Sequence, residues 1–463
     1  MARSTGKSLN QIIREDARAG WPLNEESYQY LGSEDIAKER YYSREFHDLE
    51  VERLWKKVWQ MACRVEDIPT PGDAVVYDIA GISIAVVRVD AATIKAFFNS
   101  CLHRGTALFD RDTHVEEIRC PFHGFCWNID GTFAQMPCGW DFPHVETAEF
   151  RLPEVHVGTW AGFVFVNLDP GAPPLADYVG ELSRHNAAFA YPWERRYKAV
   201  HVAKVIPCNW KAGMEAFLEA FHVPMTHGFG GVHQNSGQYD VWEGQPNFSR
   251  AMFGYSEGQH VSAPFAGERV EGVRGKDAQT RQRWLAAASP DDPWGCFDAV
   301  TDPEERRVIA AVAKGGREGL ADLTGDDVSR ISDSELNIYW EYFLFPNLVP
   351  WFGPLGDSGD LCYRFRPNGH DPDSAIMEVM MLYPFGKKGH PAAAKIRWLA
   401  PDEPWSNVRE LGPTGLILDQ DDDNLPRIQR GLRAGGKPGV TFANYQEIRI
   451  RHLHQTLDTY LQA

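Results

Sequence analysis

Two short segments of the chain each carry one cysteine and one histidine, a pairing that suits a metal site. The first is Cys101-Leu-His103, and the second begins after sixteen further residues as Cys120-Pro-Phe-His123. A glycine follows each histidine within two residues, where a tight loop needs a backbone that tolerates positive φ. Because thiolates and imidazoles are both ligands of transition metals, the four side chains predict one shared metal site.

The mixed ligand set is typical of a Rieske [2Fe–2S] cluster, in which two cysteines bind one iron and two histidines bind the other. A structural zinc site is a competing interpretation, but zinc fingers place their two cysteines together and then their two histidines. Four core side chains without a metal are the other alternative, because free cysteines are often simply buried. The pattern favours the cluster, and such a protein would carry single electrons.

A second set of candidate ligands lies about a hundred residues further on. Apolar residues at spacings of three and four predict a helix over 209–221, with Glu219 and His222 on one side. Pro224 is expected to end that helix, so that the chain turns and brings His227 towards His222. Two histidines and one carboxylate would form the facial triad that binds mononuclear non-haem Fe(II). Taken alone, the two histidines are more typical of ordinary surface or core positions, but a chain that already carries the cysteine-histidine pattern favours the iron site.

With both motifs present, the chain resembles the α (oxygenase) subunits of the Rieske non-haem iron oxygenases, the aromatic ring-hydroxylating dioxygenase family. The resemblance covers nearly the whole length, apart from 228–336, and is most specific in the two cysteine-histidine segments. Four further stretches carry it: Trp127 to Gly131, Asn209 to His227, Phe345 to Leu348, and Gln429 to Leu432.

The resemblance implies a role for each candidate ligand. Four side chains would hold the [2Fe–2S] cluster, namely Cys101, His103, Cys120 and His123. Two would bind the mononuclear iron, namely His222 and His227. One such cluster and one Fe(II) per chain would act together with O₂ as co-substrate.

The family's third iron ligand is an aspartate that precedes a Gln-Arg-Gly-Leu element by a few residues. The acidic run before Gln429 offers four candidates: Asp419, Asp421, Asp422 and Asp423. Spacing back from Gln429 favours Asp421, with Asp422 second. An acidic run is otherwise typical of a solvated loop, which we expect for at least two of the four.

Glu219 matches the family's carboxylate that links a cluster histidine of one subunit to an iron-ligand histidine of the next. Many ring-hydroxylating members have aspartate here, and the longer glutamate favours members that act on non-aromatic or bulky substrates. Within one family subunit the two centres lie too far apart for rapid electron transfer, so the resemblance implies a ring-like homotrimer, with or without a β subunit. An exposed helical glutamate is the alternative interpretation of Glu219.

The elements around these motifs predict an α+β protein. In chain order they are a helix over 44–59, a β-hairpin over 73–89, strands over 161–168, 337–351, 360–366 and 375–383, and a helix over 443–462. Three domains are expected: an N-terminal arm at 1–44 that packs on the catalytic domain, a β-rich Rieske domain at 45–170, and the catalytic domain at 171–463. The resemblance implies that the catalytic domain is an antiparallel sheet covered by helices, the helix-grip or START-like fold.

Composition limits the partners. A net charge of −17 argues against nucleic acid, whose binding needs clustered lysine and arginine. Eight cysteines in 463 residues, two of them assigned to iron, indicate reduced thiols in a cytosol. The chain shows neither a signal peptide nor an apolar run near the ~20 residues of a membrane span, so a cytoplasmic protein is expected. Without a G-x-G-x-x-G motif or P-loop, NAD(P)H would act only indirectly, through a ferredoxin or reductase.

The resemblance implies a terminal oxygenase that hydroxylates a hydrophobic, aromatic substrate by cis-dihydroxylation at Fe(II). A Rieske monooxygenase or N/O-demethylase for steroid-like, alicyclic or methylated-amine substrates is the alternative. A Rieske electron carrier without oxygenase activity is a third interpretation and would hold two irons per chain instead of three. Five apolar residues suggest a substrate pocket, although such residues are more often core: Met214, Phe217, Phe221, Phe343 and Phe345.

Overall fold

The computed structural model describes residues 21–227, 237–253, 303–353 and 359–462. These residues fall into two compact units. The first unit comprises Asp48–Tyr178, Pro367–His370 and the described part of Tyr460–Ala463. The second comprises the described parts of Val179–Arg366 and Asp371–Thr459, with the segment that precedes Asp48. Residues 1–20 of the predicted N-terminal arm lie outside the described residues, as does much of the region 228–336.

Seven strands of the first unit form an antiparallel sheet. Across the sheet they are Gln60–Arg64, Phe163–Asn167, Glu154–Trp160, Ile94–Phe98, Ile82–Arg88, Asp73–Ile79 and Thr113–His114. The predicted hairpin is present: Asp73–Ile79 pairs with Ile82–Arg88, and Ala80 and Gly81 form the turn with φ of 47° and 79°. Two residues with positive φ match the twist of the flanking strands.

A second, three-stranded sheet carries one of the two cysteine-histidine segments. Its strands are Glu117–Arg119, Cys126–Asn128 and Phe133–Gln135, and the segment forms the connection between the first two. Phe97, Ile118 and Trp127 are completely buried in the core that supports both segments. The rigid part of the unit therefore positions both candidate ligand loops.

The predicted helix over 44–59 begins as Arg44–Glu50 and continues as a π-helical turn, Val51–Trp55. The apolar residues Val51, Leu54, Trp55 and Val58, whose spacing predicts this helix, are all buried. The helix ends four residues earlier than predicted, because the chain must turn before the strand Gln60–Arg64.

Eight strands form the large sheet that dominates the second unit. Across the sheet they are Gly237–Val241, Phe248–Phe253, Tyr339–Leu344, Leu348–Phe352, Asp360–Asn368, Asp371–Pro384, Arg196–Ile206 and Arg397–Trp398. The predicted single strand over 337–351 is instead a hairpin of two antiparallel strands. Pro346 lies in its turn, and proline ends a central strand because it has no N–H for the ladder.

Helices lie before and after the strands of the large sheet, which confirms the predicted α+β class. They are Leu175–Val179, Leu182–Ala188, Trp210–Glu215, Val223–Thr226, Pro303–Thr324, Asp333–Asn337, Thr414–Asp422, Leu425–Ala434 and Ile448–Gln462. Short 3₁₀ segments are Pro22–Asn24, Lys38–Tyr41, Val65–Asp67, Gly139–Asp141, Trp193–Arg195, Trp405–Asn407 and Arg409–Leu411. A two-stranded ribbon pairs Ile36–Ala37 with Gly439–Val440. Among the described helices, none is both long and apolar enough to cross a membrane.

Candidate metal centres

The two cysteine-histidine segments form loops of the same shape. In each loop the cysteine N–H donates to the carbonyl oxygen five residues later, at 2.8 Å for both Cys101 and Cys120. The glycine after each histidine donates back to the cysteine carbonyl oxygen, at 2.9 Å for Gly105 and 3.1 Å for Gly124. Both glycines have positive φ, 75° and 76°, as the sequence predicts. The matching backbone presents each ligand pair in the same way.

The four side chains on these loops meet at one place and fit a mixed-ligand cluster. Cys101 and Cys120 are buried, and the ring centroids of His103 and His123 lie 4.6 Å apart. Nδ1 of His103 is buried and has no hydrogen-bond partner among the described residues. Because a buried imidazole nitrogen needs a partner, this atom fits a metal ligand.

The thiol of Cys120 is prepared to ionise. Burial alone would raise its pKa, but the backbone N–H groups of Phe122 and His123 donate to the sulfur and hold the pKa below its ordinary value. The thiolate is the form that binds metal. Cys120 is therefore electrostatically suited to an iron ligand.

Three predicted iron ligands converge in the second unit. Nε2 of His222 lies 3.3 Å from Nε2 of His227. Oδ1 of Asp421 lies 3.5 Å from the first nitrogen and 3.2 Å from the second. The three ligand atoms all lie within 4.8 Å of one another, as one metal ion requires. His227 and Asp421 are buried, whereas the side chain of His222 is 24% exposed.

The backbone that brings the histidines together differs from the prediction. The helix expected over 209–221 ends at Glu215, and Pro224 begins a new helix, Val223–Thr226, instead of ending one. Proline suits the first turn because its missing N–H would have no partner there. His222 and His227 occupy the two caps of this one-turn helix, which places both side chains beside each other.

A solvated loop was expected for at least two of the four aspartates, but three of them lie in the helix Thr414–Asp422, and only Asp423, its C-cap, is exposed. Each of the first three aspartates has a different partner. Asp419 accepts from the backbone N–H of Trp405 at 2.7 Å, and Asp422 pairs with Lys204 at 2.6 Å. Asp421, 6% exposed, faces the histidines. Adjacent helical residues point about 100° apart, so Asp421 and Asp422 face different directions.

The two histidines are held through their outer nitrogens. Nδ1 of His222 lies 2.6 Å from Oε1 of Glu219. The other oxygen of this carboxylate, Oε2, accepts a hydrogen bond from the backbone N–H of His222 at 2.9 Å. Nδ1 of His227 lies 2.8 Å from Oε1 of Gln420. Both Nε2 atoms are thereby directed towards Asp421, the kind of support that orients metal-binding histidines. Sequence reasoning missed Gln420, although it stands next to the favoured aspartate.

The charges at the three ligands complement one another. Burial would lower the pKa of His222, but the carboxylates of Glu219 and Asp421 raise it well above its ordinary value. Burial likewise would raise the pKa of Asp421, but hydrogen bonds from His222 and His227 lower it. Asp421 is therefore a carboxylate anion beside the two histidines, and it can bind a cation there.

A buried ion pair supports the segment that carries Glu219. Arg449 donates to the carbonyl oxygen of Leu218 at 3.3 Å and pairs with Glu341. Both charged side chains are buried. Burial raises the pKa of Glu341 to about 7, although Arg449 acts against this. Sequence reasoning did not find this pair, whose members are separated by 108 positions.

We expect Arg449→Leu to lower the free energy of unfolding by about 3–5 kcal/mol, because it leaves the Glu341 carboxylate buried without its partner. Urea unfolding followed by circular dichroism measures the change. Lys56→Leu is a matched control, since it breaks the exposed Lys56–Glu52 pair and should alter stability by no more than ~0.5 kcal/mol. Equal effects of the two variants would contradict a role for the buried pair.

A cavity of about 540 Å³ adjoins two of the three ligands, His222 and Asp421, on the side of Glu219. It is lined by Glu215, Glu219, His222 and Asp421 and extends to the exposed Arg427. The five apolar residues proposed for a pocket do not line this cavity. Four of them are buried and Phe221 is 37% exposed, as expected for core residues and one surface residue.

A cluster of aromatic rings, also missed by sequence reasoning, surrounds Trp351. The centroids of Phe253, Tyr339 and Tyr363 lie 6.1, 6.1 and 6.0 Å from that of Trp351. Burial raises the pKa of Tyr363 well above its ordinary value, and the nearby carboxylate of Asp421 raises it further. Phe253, Tyr339 and Trp351 also pack in one core cluster with Ala220 and Val223, which lie on the segment that carries the two histidines.

Comparison with known proteins agrees with these two centres. A family model for the Rieske [2Fe-2S] domain matches residues 58–146, and a model for the ring hydroxylating alpha subunit (catalytic domain) matches residues 186–463. The second match covers more than half of the chain. The two domains imply a Rieske cluster and a mononuclear iron, for which the residues above fit.

Curated relatives include both dioxygenases and a monooxygenase. The chlorobenzene dioxygenase subunit alpha of a Cupriavidus species is 28% identical over 197 residues, 42% of this chain and 44% of the relative. The carnitine monooxygenase oxygenase subunit of Escherichia coli is 28% identical over 219 residues, 45% of this chain and 58% of the relative. The chain thus spans about half the length of the curated relatives it matches.

Solved structures share the fold over almost the whole chain. A quaternary ammonium Rieske monooxygenase superimposes with a TM-score of 0.64 at 16% identity and covers 92% of this chain and 95% of its own. Naphthalene 1,2-dioxygenase with bound indole gives a TM-score of 0.60 at 18% identity, covering 94% of each chain. The resemblance inferred from the motifs is confirmed, and the chain belongs to the ring-hydroxylating α-subunit family of the Rieske non-haem iron oxygenases.

Proposed function

We propose that this chain is the terminal oxygenase component of a Rieske oxygenase system, hydroxylating a hydrophobic substrate with O₂ and relayed electrons. The observation that carries the proposal is the second ligand set. An electron carrier needs only the cluster loops, whereas His222, His227 and Asp421 form an additional site with three ligand atoms within 4.8 Å. Three protein ligands leave positions for other molecules on the same metal.

In this proposal Cys101, His103, Cys120 and His123 hold the cluster. His222, His227 and Asp421 hold the mononuclear iron. When bound, the cluster supplies single electrons and the iron activates O₂.

The chain's own contribution is orientation. Glu219 and Gln420 each hold the outer nitrogen of one histidine, which fixes the ring planes. Asp421 is 6% exposed, and its side chain borders the cavity beside Glu219 and His222.

Cis-dihydroxylation of an aromatic substrate is the leading proposal for the reaction. Monooxygenation or N/O-demethylation of a steroid-like, alicyclic or methylated-amine substrate is the second. The specific observation that favours the second is Glu219, whose carboxylate reaches His222 with one methylene more than the aspartate of many ring-hydroxylating members.

A substrate panel tests the function. Purified protein with a surrogate reductase and O₂ is incubated with aromatic, steroid and quaternary-amine compounds, and products are identified by mass spectrometry. A diol points to cis-dihydroxylation, and an alcohol or formaldehyde points to the second candidate. Iron analysis is the independent check: three irons per chain are expected, and two irons without any turnover would favour an electron carrier.

The electrons would come from a ferredoxin or reductase, and we propose a homotrimer in which they pass between protomers, with or without a β subunit. Two side chains that a neighbouring protomer could reach support this route between protomers. His123 is exposed at the tip of its loop, and Glu219 lines the open cavity beside the triad. A hydrogen bond between His123 of one protomer and Glu219 of its neighbour would connect the two centres. A head-to-tail contact of this kind closes into a ring when its rotation closes.

We expect His103→Cys and His123→Cys to retain cluster iron but to lower the reduction potential, because a thiolate places more negative charge on the cluster than an imidazole. A redox titration monitored by EPR gives the potential. Cys138→Ser serves as the control, since Cys138 is an exposed cysteine of the same unit outside the proposed ligand set. An unchanged potential in both histidine variants would refute the ligand assignment.

A further inference from the structure

Glu215 is a buried carboxylate for which the proposed function so far has no use. It ends the helix Trp210–Glu215 and lies four residues before Glu219. Its Oε1 accepts a hydrogen bond from the hydroxyl of Tyr41 at 2.8 Å and lies 2.9 Å from Nε2 of His454. Tyr41 and His454 are themselves 3.0 Å apart, so three polar groups form one closed cluster. We call Tyr41, Glu215 and His454 the carboxylate cluster.

In the carboxylate cluster, Oε2 of Glu215 is available to the cavity. Both of its hydrogen bonds use Oε1 of Glu215, and Oε2 has no hydrogen-bond partner among the described residues. Glu215 lines the same 540 Å³ cavity as Glu219, His222 and Asp421. Water in that cavity can therefore reach both Oε2 and the outer side of the triad. A cavity of this size and polarity has room for several waters.

Within the carboxylate cluster only the glutamate changes its charge near neutral pH. Burial raises the pKa of Glu215 to about 8, although Tyr41 and Lys211 act against it. Burial also raises the pKa of Tyr41 well above its ordinary value and lowers that of His454 well below it. Tyr41 thus keeps its proton and His454 stays neutral.

The surroundings contain both signs of charge. Lys211, on the helix of Glu215, is completely buried, and Arg40 from the preceding segment pairs with Asp458 at 2.7 Å. Ten titratable or charged groups lie around Glu215 on its own and the neighbouring elements: Arg40, Tyr41, Cys208, Lys211, Glu219, His222, Asp421, Arg427, Glu447 and His454. Burial also raises the pKa of Glu447, to about 7.

The proposed reaction consumes protons as well as electrons. Substrate, O₂, two electrons and two protons give either a cis-diol, or a hydroxylated product and one water. If a neighbouring protomer covers the cavity to reach Glu219, bulk water has restricted access to the triad during turnover. A group that holds a proton inside the cavity would then be needed.

We propose that Glu215 is a proton store for the oxygenase site, releasing its proton through Oε2 into the cavity water beside Glu219 and regaining one from solvent between turnovers. This inference rests on the proposed function. It assigns Glu215 a supporting role, because its carboxyl group contacts neither the three ligands nor their direct partners. Tyr41 and His454 tune the store by stabilising the carboxylate that remains after release.

The first test measures the proton itself. Infrared difference spectra of the as-isolated protein between pH 6 and pH 10 should show one carboxylic acid that ionises near pH 8 and is absent from Glu215→Gln. Glu447→Gln identifies the separate signal of that residue. Tyr41→Phe removes a hydrogen bond that favours the carboxylate, so the ionisation should move to higher pH. A wild-type protein without a Glu215-dependent ionisation in this range overturns the proposal, whatever its activity.

The second test measures turnover with a substrate found in the panel above. The wild-type rate should fall as the pH rises through about 8, because the store is then empty. Glu215→Gln keeps the shape and the acceptor for Tyr41, yet it should retain both metals and slow turnover by about 10²-fold with no inflection near pH 8. Glu215→Asp should recover part of the rate. A Glu215→Gln variant with the wild-type rate and pH profile overturns the proton-store proposal. Absent turnover in the wild type contradicts the proposed oxygenase function instead, and the infrared result then decides whether Glu215 stores a proton.

Discussion

His222→Ala and His227→Ala should each abolish turnover and remove the mononuclear iron, while the visible and EPR signals of the Rieske cluster persist. The two ligand sets lie in separate units, and Asp421 holds only its own pair of histidines. Losing one of three protein ligands removes a large share of the metal's binding free energy. Iron per chain and product formation are measured on the same preparation, and the cluster spectrum shows that the first unit remains folded.

The neighbouring aspartates provide a matched pair for the third ligand. Asp421→Ala should behave like the histidine variants. Asp422→Ala should keep the iron, because Asp422 faces Lys204 at 2.6 Å and not the histidines. Loss of iron from Asp422→Ala with retention in Asp421→Ala would show that the proposed ligand is wrong by one residue. Turnover at the wild-type rate in either histidine variant would contradict the triad.

How much of this site could be predicted depends on how local the signal is. The cysteine-histidine loops are specified by short-range spacing, and the glycines that close them could be identified because positive φ has a strong residue preference. Asp421 was predicted from its distance to Gln429, and this distance is meaningful because the two residues lie on successive helices, Thr414–Asp422 and Leu425–Ala434. In a helix, successive side chains are rotated by about 100°, so the side chains of Asp421 and Asp422 point in different directions.

Periodicity was less reliable where the backbone bends. Residues 209–221 have helical spacing throughout, yet the helix ends at Glu215 and a new one begins at Val223. The break occurs where Arg449, from the C-terminal helix, binds the carbonyl oxygen of Leu218. That arginine lies 231 positions away, so no local pattern could indicate it. Tertiary contacts override local propensity in this way.

Partners from distant parts of the chain were not predictable at all. Tyr41 and His454 reach Glu215 across 174 and 239 positions, and neither belongs to a motif. Gln420 is a different case, because it adjoins the favoured aspartate and supports His227. A search for the groups that orient each histidine, in addition to the ligands themselves, would have considered it.

Glu219→Gln should keep both metals but slow electron transfer between the centres and product formation by about 10–100-fold, the usual range for a group that orients a metal ligand. The amide cannot accept hydrogen bonds through both of its terminal atoms. Glu219 now accepts from Nδ1 of His222 with one oxygen and from the backbone N–H with the other, so one contact must be lost. Stopped-flow reoxidation of the reduced cluster in a single turnover measures the transfer step directly.

The same variant tests the proposed route between protomers. If His123 of one protomer reaches Glu219 of its neighbour, Glu219→Gln should slow reoxidation of the reduced cluster while the iron content and the EPR signal of the cluster stay unchanged, because the variant alters the connection and not the cluster ligands. Glu243→Gln is the charge-matched control, since Glu243 is exposed and belongs to neither proposed ligand set. Sedimentation should show a trimer for all of them. A monomer with full activity, or a Glu219→Gln protein with the wild-type single-turnover rate, would exclude this route, since the carboxylate would then connect nothing that the reaction needs.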